Sequence, residues 1–69
     1  MKNEFTVIIE QDAEGYYIAE VPELKGCHTQ AKSLDILMER VKEAIMLCLE
    51  EYGNDYPRIN LIGIQKIAV

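Results

Sequence analysis

"EFTVIIEQDAEGYYIAEV", residues 4–21, is the stretch whose reading decides the fold. In its first part Phe5, Val7 and Ile9 point one way, and Glu4, Thr6, Ile8 and Glu10 point the other. That is a period of two, the pattern of a strand with one buried face. "QDAEG" follows with turn chemistry: Asp12 stands early and Gly15 is able to take a positive φ. "YYIAEV" then resumes the alternation, with Tyr17, Ala19 and Val21 opposite Tyr16, Ile18 and Glu20. Two alternating runs joined by a turn read as an antiparallel hairpin.

Downstream, Pro22 has no N–H to give to a ladder, so the second strand ends there or lies at an edge. "ELKG" turns the chain, and "CHTQ" is long enough for a short third strand. Ser33 is a good helix N-cap, and Asp35 in the first turn complements the helix dipole. Leu34, Leu37, Met38, Val41, Ile45, Cys48, Leu49 and Tyr52 recur at three- and four-residue steps as one apolar stripe. Gly53 supplies the stop and Pro57 forbids a restart, so the helix spans about 33–52. After a polar loop, "NDYPR", the tail "INLIGIQKIAV" is rich in β-branched residues and reads as a last strand. Both of its faces are mostly apolar, which suits an inner or partner-covered position. The fold class is α+β: a β-β-β-α-β order whose antiparallel sheet is covered on one face by a single helix.

At 69 residues the chain is one domain, 1–69. A domain of this size buries only about 60% of its unfolded surface, so contacts from a second subunit or partner are a reasonable expectation. The apolar fraction of 49% is ordinary for a globular chain and too high for a disordered one. The net charge is −5, from 12 acidic and 7 basic residues, and no run of basic residues offers itself to a phosphate backbone. Direct nucleic-acid binding is therefore not expected; an acidic surface serves solubility first and a basic protein partner second. Cys27 and Cys48 do not make a disulfide framework, and the N-terminus lacks the apolar stretch of a signal peptide. The longest apolar run, "AIMLCL" at 44–49, is far short of a membrane span. A cytoplasmic protein with reduced thiols is expected.

The chemistry-bearing residues have bland readings that outweigh the sharp ones. His28 is the single His, and zinc needs four ligands at characteristic spacing. Cys27 and His28 are neighbours whose side chains on a strand point to opposite faces, so they do not pair as nucleophile and base. Glu10, Asp12 and Glu20 come close in the hairpin, and clustered carboxylates do serve two-metal nucleases. Asp12 is more simply a turn former, and Glu10 and Glu20 fall on the sheet face away from the helix. No phosphate-binding glycine loop or nucleophile elbow is present, and no cofactor or catalytic residue is expected. What a monomer leaves unexplained is that far sheet face, where Ile8, Tyr16 and Ile18 form an apolar grouping. It reads as an oligomer interface, giving a dimer or higher species.

Residues 5–51 resemble the HicB family of antitoxins. The hallmarks are a "DEDG"-like turn, here "DAEG"; "GYYVAEVPELPGC", here "GYYIAEVPELKGC"; a short "TQG" segment, here "TQAKS"; and a helix similar to "LEEALENIKEAI", here "LDILMERVKEAI". "LIGIQKIAV" is similar to the last strand of many members. The resemblance implies a partial ribonuclease-H-like fold without catalysis. It also implies a partner, the small basic RNA-cleaving toxin HicA, whose cleaving site the antitoxin blocks. Many relatives carry a C-terminal DNA-binding segment; here the chain ends at Val69 after the last strand, so none is expected. Lys25 and Ala31 replace the usual Pro and Gly of the motif. Toxin contact is expected around the hairpin, through Asp12, Glu14, Tyr16, Glu20 and Glu23. Two other readings stand beside this one. They are a solitary homo-oligomeric domain that binds a ligand or protein without a toxin, and a degenerate metal-dependent nuclease using Glu10, Asp12 and Glu20.

Overall fold

A computed structural model describes residues 4–53 and 59–69. The loop expected at 54–58, with Pro57, lies outside the described residues. Three strands, β1 (Ile8–Gln11), β2 (Tyr17–Glu20) and β3 (His28–Ala31), precede one helix, α1 (Leu34–Tyr52). The sheet order is β1-β2-β3, antiparallel throughout, with Ile9 opposite Ala19 and Ala19 opposite Thr29.

The β1–β2 turn is built from the chemistry the sequence offers. Gly15 N donates to Asp12 O (3.1 Å) and Asp12 N to Tyr16 O (2.9 Å), with Gly15 at φ 91°. This is a type I turn closed by a bulge residue, a common three-residue hairpin connection. The positive φ is the reason a glycine stands there. Beyond Glu20 the ladder would set Thr6 opposite Pro22, which has no N–H, and β2 stops. A tight loop follows, in which Leu24 N donates to Val21 O and Cys27 N to Leu24 O. Val21 N donates to Cys27 O (2.9 Å), closing the loop as the first rung toward β3.

Ser33 caps α1 from an extended backbone, its Oγ accepting from Ile36 N at 3.3 Å. Gly53 ends the helix at φ 66°, its N–H donating to Leu49 O at 2.7 Å. The helix packs on β3 and β2 and makes no packed contact with β1. The core is Ala19, Val21, Leu24, Cys27, Ala31, Leu37 and Val41, with Phe5, Val7, Tyr17, Ile45, Cys48, Leu49 and Tyr52 partly buried around it. Leu34 and Met38, counted in the apolar stripe, are 46% and 38% exposed, because the buried arc of α1 is narrowed to the strip over β2 and β3.

Residues 59–69 correct the last element of the expected β-β-β-α-β order: they form no strand here. The described architecture is β-β-β-α, an α+β fold with the sheet against the helix. In this segment Ile62, Ile64 and Ile67 are 88%, 65% and 80% exposed. A strand is stabilised only by a neighbour, and among the described residues none pairs with this segment.

Candidate partner-binding face

Register decides which side chains share the sheet face that α1 leaves open. Ile8 stands opposite Glu20 and Glu20 opposite His28; Glu10 stands opposite Ile18 and Ile18 opposite Gln30. The face is thus a checkerboard of two acids, two isoleucines, His28 and Gln30, with Tyr16 at its hairpin end. Ile8, Ile18 and Tyr16 are half-buried by their neighbours, while Glu10, Glu20, His28 and Gln30 are exposed. A shallow depression of about 240 Å³, lined by Ile18, Glu20, Gly26, Cys27 and His28, lies beside it. Lys32 Nζ sits 5.3 Å from the Tyr16 ring centroid, a cation–π contact that leaves the phenol only partly covered.

The five residues expected to touch a partner do not stay together. Asp12 spends one carboxylate oxygen inside the turn, where Oδ1 accepts from Glu14 N (3.0 Å) and Tyr16 N (2.9 Å). Glu14 is exposed at the hairpin tip, and Tyr16 and Glu20 lie on or beside the open face. Glu23 is diverted: both of its oxygens accept from Thr6 N, at 3.1 and 3.0 Å. Where Pro22 ends the ladder, this carboxylate stands in for the missing rung. Glu10, His28 and Gln30 join the face although the sequence reading gave none of them a partner role. Alternation through "CHTQ", extended from Ile18, is the signal that places His28 and Gln30 there.

Cys27 and His28 point to opposite sides, as their adjacency on a strand requires. Cys27 is buried in the core. Desolvation raises its thiol from 9.0 to about 12, and the neighbouring Cys48 adds to the effect. It is therefore a protonated packing group at neutral pH, the opposite of an activated nucleophile. His28 is exposed, and its Nδ1 lies 3.0 Å from Gly26 O; a carbonyl only accepts, so Nδ1 is the donor in this bond. Among the described residues, no three His, Cys, Asp or Glu side chains converge in a group that could hold a metal ion. No described helix is long and apolar enough to cross a membrane.

Comparison with known proteins identifies the family. The chain is 57% identical over 65 residues to a UPF0150 protein of Archaeoglobus fulgidus, covering 94% of this chain and 93% of that protein. It is 48% identical over 68 residues to the UPF0150 protein ssr1258 of Synechocystis, covering 99% and 97%. A UPF0150 protein of Thermotoga maritima is 36% identical over 66 residues, covering 94% and 88%. The family profile described as "HicB-like antitoxin of bacterial toxin-antitoxin system" matches residues 5–66. With a hairpin, a third strand and a capped helix all inside that match, the chain belongs to the HicB-like antitoxin family.

Proposed function

We propose that this protein is a cytoplasmic, non-enzymatic antitoxin module. It neutralises a small basic RNA-cleaving toxin of the HicA type by protein–protein contact. The observation that carries the reading is the open sheet face, where exposed Glu10 and Glu20 alternate with half-buried Ile8, Ile18 and Tyr16. A toxin that holds RNA must present cations to phosphates, and carboxylates on a rigid strand can occupy the same cations. The interleaved isoleucines and the tyrosine supply the apolar anchor that charge alone lacks. Glu14, at the tip of the hairpin, extends the acidic surface, whereas Asp12 and Glu23 act chiefly by holding the backbone that presents it.

The test is surface plasmon resonance against the purified product of the adjacent reading frame, provided that product is small, basic and contains His. Replacing both Glu10 and Glu20 with Lys should weaken binding by about tenfold or more and slow association, most at low salt. Tyr16→Ala should mainly speed dissociation. Unchanged rates for the charge-reversed protein at both low and moderate salt would move the interface off this face.

A further inference from the structure

The two edges of the sheet differ in a way that the single chain does not resolve. Asp12 and Tyr16 form a hydrogen-bonded pair, so by alternation Ile8 and Glu10 bond to β2, while Val7, Ile9 and Gln11 turn their backbone groups outward. β1 is an edge strand, and no other strand pairs with that side among the described residues. Beneath it, on the side of α1, lies an apolar groove of about 390 Å³ lined by Phe5, Lys42, Ile45, Met46 and Leu49. The groove exists because α1 packs on β3 and β2 and stops short of β1.

The same chain carries a segment that fits this vacancy. Residues 59–69 supply Ile59, Leu61, Ile62, Ile64, Ile67 and Val69, most of them widely exposed. The radius of gyration is 13.2 Å, whereas a compact chain of this length has about 11 Å. Part of the chain therefore extends beyond the packed body. In strand geometry Ile62, Ile64 and Lys66 share one side and Leu61, Ile67 and Val69 the other. Lys66 is the one charged side chain in the segment, while β1 carries Glu10. In a chain of net charge −5, that local complementarity opposes the general repulsion between copies.

We infer that residues 59–69 form a fourth strand on the β1 edge of a second copy, and that two copies exchange these strands reciprocally. Pairing with the outward groups of Val7, Ile9 and Gln11 completes the sheet. Leu61, Ile67 and Val69 go down into the groove over Ile45, Met46 and Leu49; Lys66 comes beside Glu10. Each copy gives one strand and receives one, so the assembly closes as a two-fold dimer rather than growing into a filament. The inference does not depend on the toxin reading, and the open face remains available to a partner.

Analytical ultracentrifugation of the full chain should give twice the 7.9 kDa chain mass at micromolar concentration. Ile64→Asp with Ile67→Asp should shift it to monomer while circular dichroism keeps the helical signal. Gln11→Pro removes one outward N–H at an edge that tolerates proline, and should give the same shift without touching the tail. NMR on a mixture of differently labelled copies should show contacts between residues 59–69 of one copy and Ile9 of the other. A monomer at all concentrations, tail-to-β1 contacts only within one copy, or a dimer unaffected by either set of changes would each overturn the proposal.

Discussion

The β3 edge and the β1 edge of this small sheet start from the same problem and meet it differently. On β3 the outward carbonyl of Gln30 accepts from Arg40 Nη1 at 2.8 Å, and α1 lies across the strand. Tyr52 Oη, at the far end of the helix, donates to Lys25 O at 3.3 Å and ties down the loop that leads into β3. On β1 neither device is present among the described residues. The difference follows from connectivity. α1 leaves β3 after Lys32 and Ser33 only, so its first turns must fold back over β3, and a straight helix cannot also reach β1. An exposed edge invites another strand, and proteins usually blunt it with charge, cover or a helix. Here one edge is blunted, and among the described residues the other is not.

Five changes would break or sharpen that contrast. Leu37→Ala, in the fully buried side chain that seats α1 on the sheet, should cost about 2–5 kcal/mol in urea unfolding. Ile9→Ala at the open edge, 43% exposed, should cost only about 1 kcal/mol in a monomeric background. Equal losses would mean that the two edges share one core.

The sheltered side also carries the alkaline titration. Cys27 is raised from 9.0 to about 12 by burial first and by Cys48 second. Between those values the unfolded thiol has lost its proton and the folded one keeps it. Folding then binds more protons than unfolding, and stability falls as pH rises. Below pH 9 this contribution is fully present. Thermal melts from pH 8 to 11 should show a declining midpoint that Cys27→Ala flattens relative to the parent.

Glu23→Ala removes the acceptor of Thr6 N and should cost about 1 kcal/mol. Hydrogen exchange should then lose protection at Thr6 while β3 keeps its own. Smallest of all, Arg40→Ala uncaps Gln30 O at an exposed site and should cost about 0.5 kcal/mol in denaturant melts. If its effect matched that of Leu37→Ala, the cap and not the helix would be what secures the β3 edge.

Much of this was legible in the amino-acid sequence because it depends on near neighbours. Alternation in 4–21 and the Asp12…Gly15 turn specify the hairpin, since both are matters of two to four residues. Ser33 and Gly53 mark the helix ends through bonds that span three or four residues. The split between the Ile8, Tyr16, Ile18 side and the Ala19 side follows from parity alone. What tertiary structure decided involves distant partners. Glu23 reads as a free surface acid until Pro22 and the β1 register bring Thr6 N to it, seventeen positions away. Leu34 and Met38 fit the apolar stripe, yet their exposure depends on how little of the helix the short β3–α1 link lets the sheet cover. The tail has the β-branched pattern of a strand, but a strand exists only when an edge receives it. Composition determines that residues 59–69 need cover; only the packing of α1 over β3 and β2 decided that the edge at β1 would stay open, because one helix of this length cannot shield both sides of a three-stranded sheet.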